Sequence, residues 1–263
     1  EEFQYMECNR CGCVQIITIP ENMGKYYPTD YFAFRSYSHL VKSKFRRFFA
    51  ERRVVSFLTG RGSIGKIASC FGKPLDYLEW VNPANLDTDA HILDVGCGEG
   101  QLLLRMHIGG FHNVTGVDPF ITKDKVYPHG VTVYKQDIRD FSTDGQKKFD
   151  LIMFHHSFEH MDEPDEVLTA AQDLLSSSGT ILIVLPVADS YVWKHYRENW
   201  RGLRAPRHFF LHTGESLEIL SNRQQLSIYK VINNSHPAQF MESELYKKGI
   251  PSNAPREQKD IFQ

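Results

Sequence analysis

The sequence contains 263 residues, of which 41% are hydrophobic and 24% are charged, a balance typical of a folded globular protein and not of a disordered chain. Lysine and arginine number 30 against 32 for aspartate and glutamate, and a net charge of -2 excludes a strongly basic nucleic-acid-coating protein. The five cysteines form an odd number, which argues against a fully paired secreted scaffold. No apolar run reaches the roughly 18 residues that a membrane-spanning helix requires. We therefore expect a cytoplasmic protein that binds no nucleic acid and has no transmembrane segment.

Residues 1–37 contain Cys8, Cys11 and Cys13 and show no sustained helical or strand period. The arrangement Cys-x-x-Cys-Gly is half of a zinc ribbon, but tetrahedral zinc requires four ligands. No second cysteine pair follows at a suitable spacing. We predict a small cysteine-bearing module here and assign no metal ligands within it.

Residues 38–86 combine basic and apolar side chains, most clearly over Lys42–Arg53, which predicts amphipathic helices. Three roles remain open for this stretch: a solvated face, a surface attracted to an anionic bilayer or sugar-phosphate, and a clasp over a ligand cleft. We favour a solvated or clasping helical lid, because the apolar positions are frequent enough to be buried. The turn-rich sequence before Asp87 predicts a domain boundary there.

Residues 87–263 alternate short β-rich runs with helical patterns. This alternation predicts a Rossmann-like α/β domain, with a doubly wound and mostly parallel sheet between helices. The run Ile181–Pro186 is apolar at every position, which predicts a central strand covered on both faces. Pro164 predicts the start of a helix whose apolar face extends to Leu175.

After Pro186, the aromatic segment of residues 187–210 is too long for an ordinary connection between secondary-structure elements. Its aromatic rings would serve equally as a platform for a sugar or ring and as a hydrophobic lid that excludes water. A helix with Thr213 as its N-cap follows, and Leu226–Ile232 is predicted to be the last visible strand. The aromatic residues of the segment are Tyr191, Trp193, Tyr196 and Trp200.

The strongest chemical signal is Ile92–Gly100, with the sequence ILDVGCGEG. The strand ends at Asp94, and the chain then turns through Gly96, Gly98 and Gly100 into a helix. Backbone amides and the positive helix end therefore face the space above the sheet edge. The G-x-G-x-G spacing differs from the G-x-G-x-x-G of nicotinamide dinucleotide sites and disfavours a dehydrogenase.

Carboxylates follow the next two β runs. Asp118 ends VTGVD, where a carboxylate at the edge of an open α/β sheet takes ribose hydroxyls, and Asp137 follows VTVYK. With the glycine turn and the segment Phe149–Pro164, these residues resemble the class I S-adenosylmethionine-dependent methyltransferases of the type 11 and type 23 groups. The resemblance covers roughly His91–Leu226.

The resemblance implies S-adenosylmethionine as cofactor and S-adenosylhomocysteine as product. It assigns Asp118 to the ribose hydroxyls, Asp137 to the adenine amino group and Ile138 to the adenine ring. It also implies a last antiparallel strand, of which the sequence shows no clear sign after Val231. The expected cofactor-binding residues are Asp94, Gly96, Cys97, Gly98, Gly100, Asp118, Asp137, Ile138 and His155.

Methyl transfer requires alignment above all, and a base is needed only for some acceptors. Imidazole changes charge near neutral pH, so we predict His156 as the base, followed by His208. His208 lies in PRHFFLHTGESLEIL, which is similar to the segment before the last helix in the same groups. A packing role for each histidine remains open.

The N-terminal stretch, here called the leader, predicts the molecule that accepts the methyl group. The stretch CNRCGCVQIITIP followed by YYPTDYF is similar to the leader of methyltransferases in sugar and surface-polysaccharide pathways, where another C-x-x-C lies upstream. This implies a small-molecule acceptor, such as a nucleotide sugar or glycan, that is methylated on a sugar hydroxyl or carbon during polysaccharide or glycolipid synthesis. The alternative is a catalytically inactive regulatory or scaffold protein that binds S-adenosylmethionine.

Overall fold

A computed structural model describes most of the chain. The described residues are 1–27, 44–65, 67, 77–128, 130–143 and 148–251. The chain forms two compact units. The first unit comprises Glu1–Tyr27, Glu159–Asp162 and Pro186–Gln263, and the second comprises Pro28–Phe158 and Glu163–Leu185.

The division into domains 1–37, 38–86 and 87–263 stays a prediction. Its first boundary lies outside the described residues, as does the part of the leader-like stretch from residue 28 to residue 32. Helices do occur within residues 38–86, as the amphipathic pattern predicts.

The strands of the described part of the chain are short, except for two in the larger sheet. They are β1 (Tyr5–Glu7), β2 (Val14–Ile16), β3 (His91–Val95), β4 (Asn113–Val117), β5 (Lys125–Val126), β6 (Thr132–Tyr134), β7 (Phe149–His155), β8 (Leu175–Val184) and β9 (Phe210–Leu211).

The α-helices with defined bounds are α1 (Lys44–Thr59), α2 (Tyr77–Val81), α3 (Gln101–Ile108), α4 (Pro164–Leu174), α5 (Tyr191–Tyr196), α6 (Gly214–Arg223) and α7 (Ala238–Lys247). Short 3-10 turns also occur, including Phe158–His160 after β7. None of the helices in the described ranges is long and apolar enough to cross a bilayer.

The larger sheet confirms the predicted Rossmann-like architecture. Its strand order is β5-β6-β4-β3-β7-β8. Every neighbouring pair is parallel except β5 and β6, which are antiparallel. Because β3, β4, β6 and β7 run in the same direction, their carboxyl ends lie along one edge of the sheet.

The core of this unit lies around β3. Ile92 and Leu93 are consecutive and both fully buried, so both faces of the strand are covered. Leu103 and Leu104 of α3 belong to the same core, as does Val54 of α1. Helix α1 therefore buries part of its apolar face. The outer part of that helix still exposes large apolar side chains, among them Phe45 and Phe48.

Strand β8 lies at the edge of the sheet, so the prediction of a central strand was wrong. Ile181 and Ile183 are only partly buried. An apolar run indicates that its side chains are shielded from water, but it does not indicate whether the strand has one neighbouring strand or two. The strand also begins at Leu175, which we predicted to belong to the preceding helix; α4 ends at Leu174.

The predicted strand Leu226–Ile232 was also wrong. The segment has no regular secondary structure and pairs with none of the strands in the described ranges. Val231 is 72% exposed and Tyr229 is 58% exposed. β propensity reflects packing on a pleated surface, and a segment without such a surface beside it does not become a strand.

The smaller unit contains an antiparallel sheet in the order β1-β2-β9. Its strands of two or three residues are too short to show alternation, so they could not be predicted from the hydrophobic pattern. Its core includes Val14 and Leu211 together with three aromatic residues of the long segment, Trp193, Tyr196 and Trp200. These rings are core residues of the unit. Tyr191, in contrast, is 70% exposed.

The predicted N-cap of α6 is confirmed. The Thr213 hydroxyl accepts a hydrogen bond from the Ser216 backbone amide at 3.0 Å. The Ser216 hydroxyl in turn accepts a hydrogen bond from the Thr213 amide at 2.8 Å, which completes a capping box.

Leu151→Ala tests the core of the larger sheet. Leu151 is fully buried in β7, which pairs with β3 and β8, so we expect the substitution to lower the free energy of unfolding by about 2–5 kcal/mol. Urea titration followed by circular dichroism measures the change. Val231→Ala is the matched control and should change stability by less than about 0.5 kcal/mol. Equal effects of the two substitutions would contradict this assignment of the core.

Candidate active site

The glycine turn after β3 has a conformation that side chains rarely adopt. Gly96, Gly98 and Gly100 have φ values of 72°, 56° and 75°. A Cβ atom at Gly96 would also lie 2.5 Å from the Cβ of Ser157. The Gly96 amide donates to the Val117 carbonyl at 2.8 Å, so the turn is attached to the end of β4.

Asp118 joins the end of β4 to this turn. Its Oδ2 accepts a hydrogen bond from the Gly98 amide at 2.8 Å, and its Oδ1 accepts one from the Phe120 amide at 2.8 Å. The side chain is buried, and burial raises its pKa although the amides oppose that change. A carboxylate has about four acceptor positions, and the Ile121 amide interacts with Asp118 as well. The carboxylate therefore keeps part of its acceptor capacity for hydroxyl groups.

Asp94 is a buried carboxyl group at the same sheet edge. It is 2% exposed, and its Oδ1 atom has no hydrogen-bond partner among the residues that the structure describes. Burial and the nearby charge of Asp118 raise its pKa to about 8. A buried carboxylate is costly unless a cation or hydrogen-bond donor compensates it, so this atom fits a positively charged ligand.

The turn contains a further acidic residue that the sequence reading did not single out. Glu99 is 5% exposed, and its Oε2 lies 2.8 Å from the Nζ of Lys125. The Tyr127 hydroxyl donates to the Glu99 carbonyl at 2.7 Å. These contacts fix the turn from the side of β5. The only sequence signal was the position of Glu99 between two glycines.

Asp137 and Ile138 follow β6. The Asp137 Oδ1 lies 2.8 Å from the Nε of Arg139, and this neighbour lowers the pKa of Asp137. The carboxylate is thus held ionised as an acceptor. Ile138 is 3% exposed. Their proposed contacts with an adenine base stay predictions.

Cys97 packs inside the turn. A Cβ atom at Gly116 of β4 would lie 2.4 Å from its sulfur, which shows how closely the thiol approaches the β4 backbone. Burial raises the pKa of Cys97, so its thiol is not activated as a nucleophile. Its expected contact with the cofactor stays a prediction.

Two histidines end β7 at the same edge. The His155 ring stacks on Trp80, with ring centroids 4.8 Å apart and an angle of 25° between the planes. His156 is exposed and has a φ of 56°, and its amide donates to the Val184 carbonyl at 2.8 Å. Such left-handed conformations are uncommon outside glycine and are concentrated at functional sites. The sequence indicated the histidines but neither Trp80 nor the backbone conformation.

His208 belongs to the smaller unit. It is 3% exposed, and its Nε2 lies 3.8 Å from the Oε1 of Glu159. Burial lowers its pKa to about 3, which makes its ring a weak base. The catalytic role assigned to His208 from the sequence stays a prediction.

The sheet order, the glycine turn and the acidic strand ends define a nucleotide-cofactor-binding α/β enzyme of the class I methyltransferase type. A family model described as a methyltransferase domain, of type 23, matches residues 70–231, which is more than half of the chain. The chain belongs to this methyltransferase family and contains its S-adenosylmethionine-dependent methyltransferase domain.

Among curated proteins, the chain is similar to the ubiquinone biosynthesis O-methyltransferase of Dechloromonas aromatica (strain RCB). The two are 28% identical over 113 residues, which is 40% of this chain and 48% of the relative. The chain thus matches about half the length of that relative.

Two solved structures are also similar. The YcgJ protein of Bacillus subtilis has a TM-score of 0.50 and 16% identity, and the match covers 69% of this chain and 85% of that one. The 1,6-didemethyltoxoflavin-N1-methyltransferase of Burkholderia thailandensis has a TM-score of 0.48 and 15% identity, covering 91% of this chain and 94% of that one. At sequence identities of 15–16%, these similarities show a shared fold and do not show a shared substrate.

The residues present fit S-adenosylmethionine, which supplies an activated methyl group on a sulfonium. The unpartnered Oδ1 of Asp94 suits a cationic ligand, and the glycines leave the backbone open to close approach. Asp118 has acceptor capacity left for the ribose hydroxyls. Ionised Asp137 is an acceptor at the end of the next strand of the sheet.

Asp118→Ala is expected to weaken S-adenosylhomocysteine binding by at least about 100-fold. The substitution removes an acceptor for the ribose and the bond that holds the Gly98 amide, and hydrogen bonds to charged groups contribute about 1.5–3 kcal/mol each. Isothermal titration calorimetry measures the affinity. Asp140→Ala, at an exposed carboxylate after β6, is the control and should bind normally. Normal binding by a folded Asp118→Ala variant would remove Asp118 from the site.

Binding of S-adenosylmethionine is expected to release protons at neutral pH. Free Asp94 has a pKa of about 8, and a bound cation favours its ionised form. Affinity should therefore rise by up to about tenfold per pH unit below pH 8 and level off above it. Calorimetry in two buffers with different ionisation enthalpies counts the protons. Asp94→Asn should abolish the release; a release that persists in this variant would exclude Asp94 as its source.

Proposed function

We propose that this methyltransferase transfers a methyl group to a hydroxyl oxygen of a small molecule, with His156 as the general base. The observation that carries the proposal is the position of His156. It lies at the carboxyl end of β7, beside β3, and its exposed imidazole follows a backbone in the left-handed region. The curated relative is named as an O-methyltransferase, which supports oxygen as the acceptor atom.

The chemistry that this requires of the chain is modest. The acceptor oxygen forms a bond to the methyl carbon while the carbon–sulfur bond breaks and its electron pair stays on sulfur. The acceptor oxygen also loses its proton, which the imidazole of His156 accepts. Alignment supplies most of the rate, and a positioned base typically contributes about 100-fold to 10,000-fold.

As the acceptor class, we propose a sugar hydroxyl of a nucleotide sugar or glycan. The support is the similarity of the cysteine-bearing leader to that of methyltransferases in polysaccharide pathways. The aromatic segment adds no support, because Trp193, Tyr196 and Trp200 are buried in the core of the smaller unit. We also propose that the reaction takes place in the cytoplasm, which the odd number of cysteines favours.

A methyl-transfer assay tests the proposal at the level of the acceptor. Release of S-adenosylhomocysteine is measured over nucleotide sugars, glycans and a panel of phenols, and mass spectrometry locates the added methyl. Turnover of a nucleotide sugar or glycan on oxygen is the expected result. Turnover of phenols alone would remove the sugar assignment and keep O-methylation. Cofactor binding without turnover on any acceptor would instead favour the regulatory or scaffold protein.

His156→Ala tests the base. We expect kcat to fall by about 100-fold or more, because the proton acceptor is lost, while affinity for S-adenosylhomocysteine stays within about twofold. His195→Ala, at an exposed histidine of α5, is the control and should keep full activity. An unchanged kcat for His156→Ala would exclude His156 as the base. His156→Gly separates backbone strain from chemistry, because glycine adopts the same φ without cost and supplies no base.

A further inference from the structure

Three side chains of the smaller unit place metal-ligating atoms close together. Glu159, His160 and His208 each offer one ligand atom, and these atoms all lie within 4.8 Å of one another. Glu159 is 1% exposed and His208 is 3% exposed. No step of the proposed methyl transfer uses Glu159 or His160.

The backbone that carries these side chains is held in place. The Phe209 amide donates to the Glu159 carbonyl at 2.8 Å, which joins the 3-10 turn to the residue after His208. The Tyr5 hydroxyl donates to the His208 carbonyl at 2.9 Å. Ligands on a fixed backbone lose little conformational freedom when an ion binds, so the three side chains are preorganised.

The protonation state of His160 also suits a ligand. Its Nδ1 lies 2.7 Å from the Arg207 carbonyl, and because a carbonyl only accepts, Nδ1 carries the proton. Nε2 is therefore the ring nitrogen of His160 that can bind an ion. A histidine that donates its other ring proton to a backbone carbonyl is the usual arrangement around protein-bound metals.

A buried ion pair between Glu159 and His208 explains the cluster less well. The Nε2–Oε1 distance of 3.8 Å is beyond hydrogen-bond length. Two imidazoles and a carboxylate form a ligand set suited to a divalent cation.

We propose that Glu159, His160 and His208 bind a divalent transition-metal ion of the zinc class. Two imidazole nitrogens and one carboxylate form a known zinc ligand set, whereas magnesium and calcium prefer oxygen ligands alone. Zinc bonds of about 2.0–2.2 Å place tetrahedral ligand atoms about 3.4 Å apart, so the side chains approach by no more than about 1.4 Å from their present spread of 4.8 Å. Three protein ligands leave a fourth position for water or another oxygen ligand.

Cobalt(II) and zinc are the probes. The background variant is Cys8→Ser with Cys11→Ser, because exposed or half-exposed thiols of this kind can compete for the same ions. Metal-depleted protein is titrated with cobalt(II), and its visible absorption reports the coordination. Zinc is then added to displace cobalt, and elemental analysis after dialysis gives the number of ions for each chain.

The expected result is one ion per chain, with visible bands of a four- or five-coordinate cobalt site and without thiolate charge-transfer bands. Glu159→Gln and His160→Ala should each weaken binding by at least about tenfold. His236→Ala, at an exposed histidine of the same unit, is the matched control and should bind as the background does. Circular dichroism and S-adenosylhomocysteine binding verify that each variant is folded.

Failure of the background protein to bind either ion at micromolar concentration would overturn the proposal, whether or not the ligand variants fold. Stoichiometric binding that persists in folded Glu159→Gln and His160→Ala would overturn it as well. Because the readout is metal binding, neither result depends on the methyl acceptor or on turnover.

Discussion

The hydrogen bond from the Gly98 amide to Asp118 is the interaction on which the cofactor site depends. It joins the glycine turn after β3 to the end of β4, and the Gly96 amide repeats this connection at the Val117 carbonyl. Neither bond would form if β3 and β4 were not parallel neighbours with their carboxyl ends at one edge. The sheet therefore supplies the position, and the glycines allow the backbone to turn within it.

This arrangement places two carboxyl groups in a region that water reaches poorly. Backbone amides compensate the charge of Asp118. Burial and the charge of Asp118 raise the pKa of Asp94 to about 8, so Asp94 keeps its proton near neutral pH. Once ionised, Asp94 would be a buried anion whose Oδ1 has no hydrogen-bond partner among the described residues, and a cation would compensate that charge.

The sequence predicted the parts of this site that local pattern determines. Glycine spacing, an apolar strand and an acid at its end lie within a few residues, and parallel topology then brings such strand ends together. The position of β8 at the edge of the sheet was not predictable, because an apolar run such as Ile181–Pro186 is compatible with an edge strand and with a central strand. The stack of His155 on Trp80 and the approach of His208 to Glu159 join residues far apart in sequence. No spacing in a single sequence encodes such contacts.

His156 has a left-handed backbone conformation, which its residue type alone does not predict. A φ of 56° costs a residue with a side chain about 1–3 kcal/mol, whereas glycine adopts it freely. The strain is held by a hydrogen bond to β8 at Val184. If the turn served only to end β7, glycine would be the more stable choice. The proposed role of His156 as the base offers a reason for an exposed imidazole at that strained position.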